Sequence, residues 1–543
     1  MYSRKILKLL CMILFLGVAL VVNINETEAN TKVDLMKKKY EVINLSISNN
    51  KDATKVIQAA LDRALTSKNF IKVVVPNGKF TIKKTLRIYK NTYLRLQPGT
   101  TLIRSHQNAM LANGKKEIPH LGYTGNSNIV IDGGVWILND EKSNASGNAF
   151  SLAHAENIVI KNVTLKNVAK SHALDLCGVR YVEISGNKFL GYKDITPDKS
   201  RYYSEAIQID MLKSEDSFPT FGSYDWTHTT NVSIINNYFG DSPTKGYQPW
   251  GRGVGSHTAA YGKQYSNLII KQNIFDGMTR EAVYAFGWKN TTIEKNEFKN
   301  SKRVAIEIYV PDIGKHTVTS NGKQMHKSEA TGGFQIKLNK FSDTNWKNIR
   351  LIGRKTGYIN GIQINHNQYV NISTKNLIDK NIYVKNLKIN NRFYQIESGS
   401  YSTKTKAANV QTKINQNAKV FTNLKKETIG YVFQLKTGMF KTKAEVNRAA
   451  SKFKRYSGYN GTIKKSGSKY YLISPNISGQ KNIDAAYNKL KKATGWNLYK
   501  IMVKGNTTYK VMVGNYASKA EAEREYQVYR KYGLTKFAVK SYN

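Results

Sequence analysis

The sequence predicts a mainly β protein, a long solenoid of strand turns followed by a separate α+β module. The first observation behind this is a phrase of the form Asn-x-x-Ile-x-Asn-Asn-x-Phe. It reads NIVIKNVTL from Asn157, YVEISGNKF from Tyr181, NVSIINNYF from Asn231, NLIIKQNIF from Asn267 and NTTIEKNEF from Asn290. The starts lie 24, 50, 36 and 23 residues apart, so short intervals are single coils and long ones carry insertions. Apolar residues at i and i+2, a turn Asn and a further apolar residue make a strand bending into another strand. At this period each coil buries its apolar face only against the next, which is the logic of a solenoid. The second observation is a change beyond about residue 428 to strand–helix–strand patterning.

Before the coils, TKVIQAALDRAL (Thr54 to Leu65) has apolar residues at helical spacing, with Asp52 placed to cap it. KVVVPNGKFTI then gives a strand, a Pro-Asn-Gly turn and a strand. This entry resembles that of right-handed parallel β-helices of the pectin-lyase type, in which a short amphipathic helix plugs the open end and hides its edge. Coils are expected from about Thr81 to Asn391, ending in NIYVKNLKIN. Three long intervals, Tyr192 to Thr230, Asp241 to Arg252 and Pro311 to Thr331, should wall a groove on one face. Asn236, Asn273 and Asn296 are expected to stack as an amide ladder at the turns.

Residues 1–29 read as a secretory signal: Arg4, Lys5 and Lys8 flank an apolar run, and Thr27-Glu28-Ala29 fits a cleavage site. No later stretch is apolar enough to span a bilayer, so no membrane is expected after signal removal. Only Cys177 would remain, which leaves no internal disulfide framework. The formal charge is +47, and losing three Lys/Arg and two Glu with the signal would leave +46. The lysines are spread over both halves and no nucleic-acid module is visible, so the charge points to anionic wall polymers or an acidic glycan rather than nucleic acid. A secreted or wall-associated location follows. The expected division is signal 1–29, β-helix 30–399, a polar Lys- and Asn-rich linker 400–428, and an α+β module 429–543.

In that module strand–helix–strand patterning occurs three times, and YKVMVGNYASKAEAE from Tyr509 resembles the SPOR family phrase of a Tyr-x-Val-x-Val-Gly strand before a Lys-Ala-Glu helix. The resemblance implies binding to peptidoglycan glycan strands. From Tyr431 onward 23 Lys/Arg stand against 5 Asp/Glu, a net +18 suited to an acidic wall.

Equivalent residues of successive coils stack about 4.8 Å apart, so the strands after each turn read as columns. HALDLC from His172, EAIQID from Glu205, RGVGSH from Arg252, EAVYAF from Glu281 and VAIEIY from Val304 put positions three and five inward and positions four and six outward. Position four collects Asp175, Gln208, Gly255, Tyr284 and Glu307, and position six collects Cys177, Asp210, His257, Phe286 and Tyr309. Position one, at the bend, collects His172, Glu205, Arg252 and Glu281. The stretch from Asp132 to Tyr309 resembles family 28 of the glycoside hydrolases, the polygalacturonase type. Where that family stacks an Asn-Thr-Asp, an Asp-Asp and a Gly-His-Gly strand, this chain has Ser171-His172-Ala173, Ser204-Glu205-Ala206 and Gly251-Arg252-Gly253. Only Glu205 keeps a carboxylate, so the family's catalytic set does not carry over.

Glycosidic cleavage needs a carboxyl that gives a proton and a carboxylate that activates water. Strand geometry places Asp175 and Asp210 about 8 Å apart, inside the ~6.5–9.5 Å window for inversion, with His257 about 5 Å from Asp210. Asp175, Glu205, Asp210, His257 and Glu281 are therefore the catalytic candidates, all three central acids being expected at the surface. His172, Arg252, Tyr284, Glu307 and Tyr309 are the substrate-binding candidates. Two other readings of the same residues stay open: Glu205, Arg252 and Glu281 as an ion-pair ladder fastening coils, and Tyr284, Phe286 and Tyr309 as edge packing rather than a sugar platform. The expected function is acid–base hydrolysis of a wall or extracellular polysaccharide with no cofactor or metal. The alternatives are a uronic-acid lyase or epimerase, where Asp175, Glu205 and Asp210 would hold calcium, and a non-catalytic glycan-binding wall protein.

Overall fold

Each Asn-x-Phe of the repeat supplies one rung to two buried columns. Asn187, Asn237, Asn273, Asn296, Asn339 and Asn367 form an amide ladder in which each Oδ1 accepts the backbone N–H of the preceding rung at 2.9 Å. Their Nδ2 groups donate to the carbonyls of Ile160, Ile184, Ile234, Ile270, Ile293 and Ile336 at 2.7–2.9 Å. Two residues further on, Phe189, Phe239, Phe275, Phe298, Phe341 and Tyr369 stack with centroids 4.6–5.2 Å apart and planes within 12° of parallel. The sequence reading put Asn236 in the ladder; the structure puts Asn237 there. Asn236 is the turn residue, left-handed at φ 61°, as are Gly186, Gln272 and Lys295 at the same place in their coils.

The computed structural model describes residues 32–115, 117–215, 218, 222–418, 420–428, 430–505, 507–534 and 537–542. The expected signal, residues 1–29, lies outside the described residues. Two units divide between Phe393 and Tyr394. In the first, coil follows coil in parallel register: Ile158 faces Val182, then Val232, Leu268, Thr291, Phe334, Ile362 and Leu387. An eleven-strand sheet runs in chain order from Lys51–Asp52 to Gln368–Val370. This is a parallel β-helix. Helix α1 (Thr54–Thr66) buries Ile57, Ala60, Leu61 and Ala64 against its core, and Asp52 Oδ1 accepts the Thr54 N–H at 2.9 Å. Five strands form the outward columns discussed below: β1 (Leu174–Ser185), β2 (Glu205–Asp210), β3 (Arg252–Gly255), β4 (Glu281–Phe286) and β5 (Val304–Tyr309). Among the described residues no helix is long and apolar enough to cross a membrane.

The second unit corrects the expected linker. Residues 400–428 hold α2 (Lys404–Asn417) and β7 (Thr422–Thr428), continuing from β6 (Phe393–Ser398). Ala407 and Ile414, seven residues apart, bury the one apolar stripe of α2. Next come β8 (Tyr431–Thr437), α3 (Lys443–Ser457), β9 (Thr462–Ser466), β10 (Lys469–Ile473), α4 (Gln480–Thr494) and β11 (Leu498–Lys504). β12 (Thr507–Tyr516), α5 (Lys519–Tyr529) and β13 (Phe537–Tyr542) follow. One four-stranded sheet has the order β9-β10-β8-β11 and the other β7-β12-β6-β13. Both are βαββαβ units with the same order, second–third–first–fourth, and one is inserted whole into the hairpin between β7 and β12. Thr428 pairs with Thr507 and Tyr431 with Lys504, so the joints of host and insert are each a closed pair.

Replacing Asn273 by Ala would strand the buried N–H of Asn237 and the carbonyl of Ile234. Urea unfolding should show a loss of about 3 kcal/mol, whereas Asn236→Gly, at a left-handed turn position, should be nearly neutral.

Candidate functional site

The register expected for the columns is the one observed. Asp175 faces Gln208 and Cys177 faces Asp210 between β1 and β2. Glu205 faces Arg252 between β2 and β3, Gly255 faces Tyr284 between β3 and β4, and Tyr284 and Phe286 face Glu307 and Tyr309 between β4 and β5. Leu174, Leu176, Ile207, Ile209, Val254 and Val283 point into the core, so the polar members lie on the outside of the coils.

Outside the coils does not mean in solvent, and here the expectation of exposure is corrected. Glu205 and Asp210 are 0% exposed, Asp175 2% and Glu281 1%. His172, Arg252 and Glu307 are also buried. The long insertions cover them. Tyr203 stands 5.3 Å from the Arg252 guanidinium and edge-on to His257, and Leu212 and Phe218 close over Cys177. His257, 28% exposed at its side chain, is the central group that still meets solvent.

Arg252 is the hub. Its Nη1 donates to Glu205 Oε1 at 3.0 Å and its Nε to Glu281 Oε2 at 2.8 Å. The guanidinium stacks on Tyr284 at 3.6 Å and faces Tyr203 at 5.3 Å. Glu281 also meets Arg303 at 3.3 Å and Arg280 at 3.6 Å, and Glu307 meets Arg350 at 3.2 Å. Glu205 Oε2 lies 3.4 Å from His257 Nδ1 and 3.5 Å from His172 Nδ1. This is the ion-pair ladder, and it accounts for Glu205, Arg252 and Glu281 together.

Asp210 is held differently. Its Oδ1 accepts from the Met211 N–H at 2.8 Å and the Tyr265 hydroxyl at 2.9 Å, and its Oδ2 from Gln208 Nε2 at 2.6 Å. His257 Nε2 stands 3.9 Å away. Asp175 accepts from Asn148 Nδ2 at 2.7 Å and lies 3.4 Å from Cys177 Sγ, with no ion pair among the described residues.

These surroundings set the charges. Burial first, and the neighbouring Asp210 second, push the Asp175 carboxyl up to about 7, and burial also raises Asp210. Burial opposes ionisation of Glu205 as well, yet His257 and Arg252 together hold it below the usual carboxylate range. Burial disfavours the His257 imidazolium, but Glu205 and Asp210 outweigh it and raise the ring above its ordinary value. Burial drives His172 down to about 3, so that ring is neutral and takes its place by bonding the Glu205 carbonyl at 3.0 Å.

Tyr284, Phe286 and Tyr309 form an aromatic row with centroids 5.9–6.2 Å apart, and Arg354 lies 4.7 Å over Tyr309. Tyr284 and Tyr309 are half-buried, and Phe286 is buried. Sequence reasoning missed Tyr203, in an insertion, and Tyr265 and Asn148, just ahead of coil strands, because none of the three carries a periodic signal. Among the described residues, no three His, Cys, Asp or Glu side chains are grouped to hold a metal ion; Asp175, Glu205 and Asp210 point to different partners.

In the second unit the open faces of the two sheets differ. On the inserted sheet Phe433, Leu435, Leu472 and Leu498 face the helices. Alternation therefore turns Gln434, Lys436, Lys464, Tyr471 and Tyr499 to the other side. Lys436 sits 4.2 Å over Tyr471, and Tyr499 is 54% exposed. The host sheet instead closes its face with ion pairs: Lys510 to Glu397 at 2.5 Å and Glu427 at 3.0 Å, and Lys425 to the same two acids at 3.6 and 3.1 Å.

Comparison with known proteins agrees with both halves. Residues 466–540 match the SPOR domain, a span that begins in the insert and ends in the host unit. The chain is 27% identical over 292 residues, 49% of its length, to plasmin and fibronectin-binding protein A of Streptococcus pneumoniae. It spans about two fifths of that relative, 40%. The solved structure of the S. pneumoniae surface protein and adhesin PfbA superposes at a TM-score of 0.51 with 21% identity, covering 65% of this chain and 98% of that one. A family 28 exopolygalacturonase of Yersinia enterocolitica matches at a TM-score of 0.39 and 12% identity, covering 65% and 77%.

Arg252→Ala would leave Glu205 and Glu281 buried with a partner lost, and denaturant unfolding should show about 3–5 kcal/mol of destabilisation. Asp175 gives a pH signature. A carboxyl raised from its ordinary 3.8 to about 7 on folding contributes stability that is complete below pH 3.8 and lost as the pH rises through 7. Urea titrations from pH 4 to 8 should show the parent losing stability relative to Asp175→Asn over that window.

Proposed function

We propose that the protein is a wall-retained surface protein that binds glycan without cutting it, the C-terminal unit holding peptidoglycan strands and the β-helix presenting a second glycan-binding face. One observation carries this reading. Of the candidate acids, Glu205, Glu281 and Glu307 are each paired with a buried or half-buried cation, and Asp210 accepts three hydrogen bonds. Acid–base cleavage wants two carboxyls poised on an accessible bond; a ladder of closed pairs supports coil stacking instead. The aromatic row through Tyr284 and Tyr309 suits the apolar face of a sugar ring. The match to the SPOR domain supports the wall-facing role of the C-terminal unit, and its open inserted face, with Tyr471, Tyr499 and unpaired Lys436 and Lys464, is where an acidic strand would lie. The likeness to a pneumococcal surface adhesin supports a place at the cell surface.

Asp175 favours a second reading as a hydrolase. A carboxyl held near 7 beside a second acid suits a general acid.

The full chain, incubated with peptidoglycan stripped of its stem peptides and with soluble acidic polysaccharides, separates these readings. Cosedimentation without new reducing ends is expected, and Lys436→Ala with Tyr471→Ala should lower the bound fraction about tenfold. Reducing ends that appear with the parent and vanish with Asp175→Asn would establish the hydrolase, and unsaturated uronides would establish a lyase. Capture of plasmin or fibronectin with no glycan retained would replace glycan by a host protein as ligand of the β-helix.

A further inference from the structure

A cleft far from the outward columns has the chemistry of an anion site. It measures about 450 Å³ and lies between α1, the strand Leu86–Ile88 and the segment after Leu111–Asn113. Its floor is fixed by Gln58, whose Oε1 accepts the Arg87 N–H at 2.7 Å and whose Nε2 donates to the Arg87 carbonyl at 3.1 Å and to Asp62 at 2.8 Å. The amide thereby completes the strand edge that α1 covers, and the Arg87 side chain is left to the cleft.

Arg87 is half-buried, yet its guanidinium uses one of five N–H donors, Nη1 to the Gly114 carbonyl at 3.3 Å, and makes no ion pair among the described residues. Lys55, Lys84 and Lys115 line the same cleft, likewise with no ion pair among the described residues. Two acids share the lining. Asp62 is engaged by Gln58, and Glu117 is exposed at the rim. A half-buried guanidinium is ordinarily matched by a carboxylate or phosphate in fork geometry. Here the fold supplies the fork, and neither lining acid makes an ion pair with it.

We infer that this cleft binds an oxyanion carried on a polymer, a uronate carboxylate or a phosphodiester, with Arg87 as the bidentate contact and Lys55, Lys84 and Lys115 as the surrounding field. A pocket of this size takes one or two sugar or polyol-phosphate residues. The inference stands apart from the glycan-binding reading above, since it uses none of the same residues.

Calorimetric titration of the full chain at about 0.15 M salt, where exposed charges are screened, tests it with a trimeric oligouronate, a glycerol-phosphate trimer and a neutral trisaccharide. One site per chain should bind at least one of the anionic trimers and not the neutral one. Arg87→Gln should weaken that site about tenfold or more, as should Lys84→Glu with Lys115→Glu, whose exposed side chains leave folding untouched. Glu117→Gln should tighten it. Which trimer binds decides between carboxylate and phosphodiester. Unchanged affinity in the lysine pair and in a folded Arg87→Gln would overturn the inference, as would a neutral trimer binding as well as the anionic ones.

Discussion

The buried amide ladder solves the problem that every coil of a solenoid meets at its tightest corner. There the backbone turns inside the protein, so its N–H and carbonyl groups have no strand partner, and leaving them unmade costs about 1–3 kcal/mol each. An asparagine carries an acceptor and two donors on a short stem. From Asn187 to Asn367 each one accepts the backbone N–H of the rung before it and returns a donor to an Ile carbonyl. The arrangement works in one register only. A slip of one residue would break the ladder, unstack the rings from Phe189 to Tyr369 and turn the apolar positions outward.

That rigidity explains the charged columns on the other side of the same strands. With coils locked, residues in equivalent places face each other at strand spacing, and like charges there would repel. Alternation of sign along Glu205, Arg252 and Glu281 answers each covered carboxylate with a cation. Covering them is expensive, and the insertions between coils do the covering, so each acid is bound to its partner through desolvation as much as by attraction. Asp175 is the exception: with Asn148 for company and no ion pair among the described residues, its carboxyl is pushed up to about 7 by burial and by Asp210. The contrast between Glu205 and Asp175, one coil apart, comes from neighbours and not from depth.

The parts of this architecture that repeat were readable in the sequence, because a repeat forces its own geometry. The Asn-x-Phe phrase announced the solenoid, and alternation within HALDLC and EAIQID put Asp175 and Asp210 on the outward side, as observed. Exposure was not readable. It depends on residues between the coils, such as Tyr203 and Phe218, which follow no period that reveals where they will pack. Asn273 and Asn296 are rungs of the ladder as expected, while the expected Asn236 gives way to Asn237, because the two are adjacent and chemically alike and only backbone conformation separates them. The helix Lys404–Asn417 reads as a linker in the sequence because its composition is polar and its buried stripe is just Ala407 and Ile414.

That missing helix also explains why the C-terminal repeats looked odd in number. Read along the chain, three strand–helix–strand passages stand after residue 428; with β6, α2 and β7 restored there are four, and the first belongs with the last. Nesting one βαββαβ unit in the hairpin of another costs the host little, because Thr428 and Thr507 already face each other there and the insert closes on its own pair, Tyr431 and Lys504. Insertion at a closed hairpin leaves both ladders intact. The host's face is tied up by Lys425, Lys510, Glu397 and Glu427. The insert keeps its lysines and tyrosines open. The two sheets share one strand order and differ chiefly in whether the cations of the face turned away from the helices are answered by acids.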